Sequence, residues 1–161
     1  MSRKKRLAVF ASGTGSNFEA IVTACEQGKI PAETVALVCD KPSARVVERA
    51  SRHGVKSFTF DENGVDLVCL AGYMRIISDT LLSRYDGKII NIHPSLLPAF
   101  PGARAVEQAM EYGVKVFGVT IHYVDRTVDG GRIIAQRAIP YEGNDIDELF
   151  GLIHAVEHEL Y

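Results

Sequence analysis

The feature that most constrains the fold is an alternation of short apolar runs with segments whose apolar residues recur at helical spacing. Strand candidates lie at 7–11, 35–39, 56–60, 67–71 and 88–92, and helical patterns at 18–26 and 44–53 separate the first of them. Continuous apolar strands between helices are typical of a parallel sheet covered by helices on both faces. The first part of the chain therefore predicts a doubly wound α/β fold.

The pattern changes after Pro101, where the strand candidates become longer and alternate between apolar and polar residues. A helix is predicted over 105–112. The segments 114–124 and 132–139 are expected to be strands at a mixed or antiparallel edge of the sheet. The predicted fold class is thus α/β, with a mostly parallel mixed sheet and helices on both faces.

The last segment, 145–161, predicts a helix that Asp145 can cap. The helical pattern is still running at Tyr161, so the C-terminal end of this helix is predicted to be missing from the sequence. One face of the helix would carry the apolar residues Leu149, Leu152, Ile153 and Val156.

One connection is too short for this fold. Only residues 61–64 lie between Phe60, where the third strand candidate ends, and Val65, which leads into the candidate at 67–71. Parallel neighbours need a crossover of about a dozen residues or more. Either these two strands form a hairpin or a crossover segment is missing, and the parallel character of the other strands favours the missing segment. The prediction is a single domain over 1–161 that lacks this crossover.

The composition is that of an ordinary soluble globular protein, with 161 residues, of which 47% are hydrophobic and 24% charged. A net charge of −2 gives no general attraction to nucleic acid or to an anionic membrane. The basic cluster at 3–6 precedes an apolar run, 7–11, that is too short for a signal peptide or a membrane span. We interpret the cluster as a polar lead-in to a strand.

The three cysteines, Cys25, Cys39 and Cys69, are far apart in the sequence and show neither a CxxC motif nor a Cys/His metal spacing. They are interpreted as reduced thiols, which predicts a cytoplasmic protein.

A glycine-rich loop, 12–17 with the sequence SGTGSN, joins the first predicted strand to the first predicted helix. Glycines allow the backbone to approach a ligand closely, and a helix start presents free N–H groups, so phosphate is the natural ligand. The loop matches neither G-x-G-x-x-G nor a P-loop, which favours a single phosphate over a dinucleotide or ATP. The alternative is a turn in which Ser16 or Asn17 caps the helix.

Two polar side chains, Asn91 and His93, lie two residues apart at the carboxyl end of a predicted strand, before Pro94. Residues at this spacing share one face of a strand, and ligands of open α/β sheets bind at this end. An imidazole can transfer a proton near neutral pH, and an amide can donate to a developing oxyanion. The pair is therefore predicted to be catalytic, although a lone histidine is more often structural.

The loop 124–131 between the last two predicted strands carries two further carboxylates, Asp125 and Asp129. Asp125 is interpreted as a solvated turn residue. Asp129 precedes two glycines and can point inward; beside His93 it would favour the protonated imidazole and hold its orientation.

The remaining histidines give weaker signals. His53, by a helix end, and His122, on a strand, are interpreted as structural. His154 and His158 are one helical turn apart, but Glu157 between them lacks the HExxH register and no third ligand is evident, so no metal site is predicted.

These motifs together resemble one family. The similar segments are SGTGSN (12–17), AGYMRI (71–76), NIHPSLLPAFPG (91–102), GVTIHYVDRTVDGG (118–131) and HAVEHELY (154–161). They are similar to the phosphoribosylglycinamide formyltransferases, which transfer a formyl group from 10-formyltetrahydrofolate to the amine of glycinamide ribonucleotide in purine biosynthesis. The resemblance implies a Rossmann-like formyltransferase fold and a folate co-substrate without a metal.

The resemblance also implies roles for individual residues. His93 would be the catalytic histidine, Asn91 would orient the formyl oxygen, and Asp129 would be the carboxylate partner of His93. The residues implied for the ribonucleotide are Gly13, Thr14, Gly15, Ser16, Asn17, His154 and Glu157. The residues implied for folate are Met74, Arg75, Ile76, Ile77, Asn91, Asp125, Arg126, Thr127, Val128 and Asp129. In the family, part of the crossover near 61–64 touches the folate tail.

Two other functions stay open. One is a different enzyme with the same formyl-folate core, such as formyltetrahydrofolate hydrolase or methionyl-tRNA formyltransferase; the phosphate-type loop and Glu157 favour the small ribonucleotide. The other is a non-catalytic nucleotide- or folate-binding module, against which Asn91, His93 and Asp129 speak. The expected partners are small-molecule substrates, with neither nucleic acid nor membrane, and both a monomer and a homodimer are open.

Overall fold

The computed structural model of the protein describes residues 3–58 and 64–161. Two compact units make up the chain, Met1–Ile90 and Asn91–Tyr161. Hydrogen bonds join the strands in the order β3-β2-β1-β4-β5-β6-β7. The elements, in chain order, are β1 Lys5–Phe10, α1 Ser16–Glu26, β2 Ala32–Val38, α2 Arg45–Arg52, β3 Lys56–Ser57, β4 Leu67–Leu70, α3 Asp79–Arg84, β5 Ile89–His93, α4 Ala105–Tyr112, β6 Val116–Tyr123, β7 Ile133–Pro140 and α5 Ile146–Leu160.

The first unit is a parallel sheet with helices between its strands, as the apolar alternation predicts. β1 pairs in parallel with β2 on one side and with β4 on the other, and β2 pairs in parallel with β3. The inner strands are buried at their centres, where Val9, Leu37 and Val68 have no exposed surface. Strands covered on both faces can be apolar throughout, which is why their sequence shows no alternation.

The hairpin alternative for the short connection is wrong. β3 lies beside β2 and β4 lies beside β1, and all of these pairs are parallel, so β3 and β4 are separated by two strands. Described strand β3 covers only Lys56–Ser57; the rest of the strand predicted over 56–60 falls mainly outside the described residues.

The second unit contains the antiparallel edge that the sequence predicts. β6 and β7 pair antiparallel from Val116↔Pro140 to His122↔Ile133. β6 is almost wholly buried, whereas most residues of β7 are exposed. This exposure agrees with the place of β7 at the end of the strand order.

The last helix, α5, begins where the sequence predicts. The Asp145 side chain accepts hydrogen bonds from the backbone N–H groups of Asp147 and Glu148, which satisfies two donors that a helix start leaves unpaired. Leu149 and Ile153 are buried, but Leu152 is 41% exposed. The predicted apolar face is therefore correct for Leu149 and Ile153 and wrong for Leu152.

One helix was not predicted. α3 is only six residues long and buries no side chain, so its sequence lacks the apolar stripe by which longer helices are recognised. Its start is marked only by Ser78, whose hydroxyl accepts from the Leu81 N–H.

Candidate active site

The strand β5 delivers Asn91 and His93 as predicted, with His93 as its last residue. The His93 side chain is only 6% exposed. Its Nε2 lies 2.8 Å from the carbonyl oxygen of Phe100 and must carry a proton there, because a carbonyl only accepts. His93 Nδ1 lies 3.4 Å from Oδ2 of Asp129. Both ring nitrogens thus face acceptors, so a doubly protonated ring would have a partner for each proton.

The loop after β6 holds Asp129 in an unusual backbone conformation. Asp129 has a φ of 51°, in the left-handed region that residues other than glycine rarely adopt. Such backbone is retained where the surroundings impose it, often at functional sites. Gly131 shows part of the constraint, because a Cβ at this position would overlap the carbonyl oxygen of Tyr123. The glycine therefore lets the loop fold tightly against the end of β6.

The Asp129 carboxylate is the centre of the polar cluster in this unit. Its Oδ2 accepts the Gly102 N–H at 2.7 Å and faces His93, while its Oδ1 lies 3.6 Å from Nε2 of His122. The contact with His122 lowers the pKa of Asp129 most, and the Gly102 amide and the charge of His93 lower it further, against the opposing effect of burial. Asp129 is therefore held as a carboxylate, the form that can orient an imidazole.

His122 joins this cluster, although the sequence indicated only a structural role. It is 2% exposed, and its Nδ1 donates to the carbonyl oxygen of Tyr123 at 2.9 Å. Its Nε2 lies 3.2 Å from Nδ2 of Asn91. His122 Nε2 can accept a hydrogen bond from Asn91 when the His122 ring is neutral, or donate one to Asp129 when the ring is protonated. The one sequence feature that could have indicated this role is the strand pattern, which places His122 on a strand that could neighbour the strand of Asn91.

The loop that follows His93 is anchored by a buried hydroxyl. Thr120 has no exposed surface; it donates to the Ser95 carbonyl at 2.7 Å and accepts from the Leu97 N–H at 3.1 Å. The Gln136 side chain donates to Thr120 and to the Leu97 carbonyl, both at 2.9 Å. Since buried polar groups are costly when unpaired, this network fixes the loop and with it the Phe100 carbonyl that faces His93.

In the first unit, the glycine-rich loop joins β1 to α1 as predicted. Gly15 is the N-cap of α1 with a φ of 79°, and neither Ser16 nor Asn17 takes that position. Gly13 and Thr14 are exposed, whereas Gly15 and Asn17 are buried. An exposed loop that leads into a helix N-terminus is the arrangement that binds phosphate in many α/β proteins.

The segment predicted to bind folate, 74–77, follows β4 in the same unit. Met74 and Ile76 are 71% and 91% exposed, Arg75 is also exposed and Ile77 is half-buried. The Ser12 hydroxyl accepts the Met74 N–H at 3.1 Å, and Arg75 donates to Asp40 at 2.8 Å. Large exposed apolar side chains on a braced backbone are suited to binding an apolar ring system.

The other predicted folate residues form an exposed turn in the second unit. Asp125 accepts from both the N–H and the hydroxyl of Thr127, which confirms its interpretation as a turn residue. Its contact with the Thr127 hydroxyl is the main cause that lowers the pKa of Asp125. Arg126 and Thr127 are exposed, and Val128 is 68% exposed.

The two residues predicted on α5 differ in their environment. Glu157 is 6% exposed, whereas His154 is exposed and stacks on Phe150 with ring centroids 6.2 Å apart. Within residues 3–58 and 64–161, no group of three or more His, Cys, Asp or Glu side chains is placed to hold a metal ion. Cys25, Cys39 and Cys69 are buried free thiols.

A comparison with protein families decides the family. The model described as formyl transferase matches residues 5–65 and 56–161, which together span nearly the whole chain. The chain belongs to the formyl transferase family. The two matched pieces overlap at 56–65, the region of the short connection between β3 and β4.

Individual relatives agree with the family. The phosphoribosylglycinamide formyltransferase of Bacillus subtilis is 50% identical in an alignment that covers 98% of this chain and 91% of that protein. The human trifunctional purine biosynthetic protein adenosine-3 is 35% identical over 99% of this chain, which spans 18% of that longer protein. The Bacillus alignment runs over 177 positions, more than the 161 residues of this chain, so the relative has residues without a counterpart here.

Solved structures show the same fold. Glycinamide ribonucleotide transformylase 1 from Geobacillus kaustophilus is 51% identical, with a TM-score of 0.92 and coverage of 98% of this chain and 95% of that one. Phosphoribosylglycinamide formyltransferase from Bacillus halodurans is 47% identical, with a TM-score of 0.91 and coverage of 98% and 91%. The α/β fold class with a mixed sheet is thereby confirmed.

The tight turn that carries Asp129 can be tested by one substitution. We expect Gly131→Ala to lower the free energy of unfolding by about 1–3 kcal/mol, because the added methyl group forces the loop away from Tyr123. The matched control is Gly151→Ala in α5, where a Cβ meets nothing within 4 Å and alanine should stabilise the helix by roughly 0.5–1 kcal/mol. Urea denaturation measures both; a loss at position 151 or none at 131 would contradict this account.

Proposed function

We propose that this chain transfers the formyl group of 10-formyltetrahydrofolate to the amine of glycinamide ribonucleotide, a step of de novo purine biosynthesis. The observation that carries the proposal is the cluster of Asn91, His93 and Asp129 in a chain that is 50% identical to a phosphoribosylglycinamide formyltransferase over nearly its full length. These side chains supply an amide donor, an imidazole and a buried carboxylate, the groups that acyl transfer to an amine requires.

The first chemical step forms a tetrahedral intermediate. The lone pair of the substrate amine attacks the formyl carbon, and the electrons of the C=O bond move to oxygen. We assign Asn91 and His93 as donors to this oxyanion. An amide NH₂ has two donors; one points at His122 Nε2, 3.2 Å away, and the second is assigned to the substrate. Preorganised donors of this kind stabilise charge as it develops.

The second step releases the folate. The bond between the formyl carbon and N10 breaks, its electron pair stays on N10, and N10 takes up a proton while the former amine loses one. His93 is assigned to this proton transfer. Its Nδ1 faces the Asp129 carboxylate, which holds the ring in place, and its Nε2–H must exchange the Phe100 carbonyl for the substrate. Asp129 thus acts through His93, and His122 Nε2 can hold either Asn91 or Asp129, according to whether the ring is neutral or protonated.

Binding roles are assigned from the family resemblance and supported by local structure. The phosphate of the ribonucleotide is assigned to 13–17, where exposed backbone leads into the N-terminus of α1. His154 and Glu157 are assigned to the same substrate. The pterin and its neighbouring rings are assigned to 74–77 and 125–129, whose large exposed apolar side chains are Met74, Ile76 and Val128.

The setting of the reaction follows from this function. Both partners are small molecules, and no metal takes part in the proposed steps. We place the enzyme in the cytoplasm, where its three buried free thiols would stay reduced. Within residues 3–58 and 64–161, no helix has the length and hydrophobicity of a membrane span. A homodimer stays a prediction, which light scattering of the purified protein tests directly.

The deciding experiment is a formyl-transfer assay with glycinamide ribonucleotide and 10-formyltetrahydrofolate. We expect transfer by the wild-type chain, and a fall in kcat on the order of 100- to 1000-fold for Asn91→Ala and for His93→Ala, since each removes a donor to the oxyanion. The control is His158→Ala, an exposed histidine of α5 with no assigned role. Equal rates for wild type and His93→Ala, with both proteins folded by circular dichroism, would exclude the mechanism.

The connection between β3 and β4 is proposed to be a shortened crossover. Three observations support this: the parallel pairings that separate the two strands, the overlap of the family matches at 56–65, and an alignment longer than the chain. A shortened crossover would remove contacts that the family resemblance places on the folate tail.

Restoring this segment tests the proposal. Insertion of the corresponding residues of the Bacillus subtilis relative between β3 and β4 should raise Tm and lower the KM for 10-formyltetrahydrofolate several-fold. The KM for glycinamide ribonucleotide should stay unchanged, which serves as the internal control. An unchanged KM for 10-formyltetrahydrofolate and an unchanged Tm in a folded insertion variant would show that the short connection affects neither folate binding nor stability.

A further inference from the structure

We propose that Arg49 is a positioning residue for the glycine-rich loop and sets the affinity for the phosphate end of the ribonucleotide. The inference rests on the proposed function and adds a residue from α2, outside every motif that indicated the substrate sites. Arg49 Nε donates to the carbonyl oxygen of Thr14 at 2.9 Å. The side chain is 24% exposed, so this contact is partly shielded from water.

The helix α2 holds two successive carbonyl groups of the loop. Besides the bond from Arg49 to Thr14, the backbone N–H of Val46 donates to the Gly13 carbonyl at 3.3 Å. Gly15 packs so closely that a Cβ there would come within 2.5 Å of Val46 Cγ2. The loop is therefore braced against the first turns of α2 at three adjacent residues.

The bracing fixes the direction of the loop N–H groups. A trans peptide unit is planar, with its C=O and N–H on opposite sides. Turning the Gly13 and Thr14 carbonyls toward α2 therefore points the N–H groups of Thr14 and Gly15 away from it. Gly15 is also the N-cap of α1, whose first N–H groups attract anions. Arg49 thus preorganises donors for phosphate without touching phosphate itself.

Arg49 is itself held by a charged network on the two helices. Its Nη1 lies 3.1 Å from Oε2 of Glu19, and Oε1 of the same carboxylate lies 3.1 Å from Nε2 of His53. His53 Nδ1 lies 2.9 Å from Glu26. Hydrogen bonds that the ring donates to the carboxylates of Glu26 and Glu19 raise the pKa of His53. An isolated surface ion pair is worth little, but a network restricts the arginine to one geometry before substrate binds.

Four proteins test the proposal: wild type, Arg49→Gln, the conservative Arg49→Lys, and the control Arg52→Gln. Arg52 is an exposed residue of the same helix, so its substitution removes the same charge. We expect Arg49→Gln to raise the KM for glycinamide ribonucleotide by roughly tenfold, with kcat and the KM for 10-formyltetrahydrofolate nearly unchanged. Arg49→Lys should recover part of the affinity, and Arg52→Gln should behave as wild type.

A second readout does not depend on catalysis. Inorganic phosphate should raise the Tm of the wild type and of Arg52→Gln more than that of Arg49→Gln. The positioning role is overturned if Arg49→Gln, or Arg49→Lys should the first variant fail to fold, keeps wild-type KM and phosphate response. Loss of formyl transfer in the wild type would instead reject the proposed function, and the phosphate response would still decide the role of Arg49.

Discussion

The buried carboxylate of Asp129 is the interaction on which the candidate site depends. It accepts a backbone N–H from Gly102 and faces one histidine with each oxygen, His93 with Oδ2 and His122 with Oδ1. His122 in turn contacts Asn91. A single charge therefore connects β5, β6 and two loops, and the left-handed backbone at Asp129 is the local strain that this placement requires.

Much of the fold was predictable because the apolar alternation reports directly which strands are buried on both faces. The predicted strands before β6 lie within three residues of the observed ones at each end, and the third falls partly outside the described residues. The prediction failed where burial leaves no signal: α3 buries no side chain, and Leu152 lies at the edge of an apolar face. The spacing of the strand candidates left a hairpin and a missing crossover open, and only the strand pairings excluded the hairpin.

The candidate site was predictable in its residue types and not in its contacts. Asn91 and His93 were predicted because they lie at the carboxyl end of a strand candidate. Asp129 was predicted because its carboxylate precedes two glycines in a loop. His122 was interpreted as structural, because its contact with Asn91 depends on which strands are neighbours and in what register. The role of Arg49 could not be predicted for the same reason. It lies on a helix without a motif, and only the packing of α2 against the glycine-rich loop brings it to Thr14.

The most direct test of the central claim is the pH dependence of formyl transfer in Asp129→Asn compared with wild type, with Asp86→Asn, an exposed carboxylate, as control. The Asp129 carboxylate faces the rings of both His93 and His122, and its own pKa is lowered, mainly by the contact with His122. Wild-type activity should therefore fall only at acid pH, where this carboxylate takes up a proton; Asp129→Asn should lower kcat and abolish that acid limb of the pH profile. Asp86→Asn should follow the wild type. A pH profile and kcat unchanged in Asp129→Asn would contradict the role of this carboxylate and with it the proposed arrangement of the site.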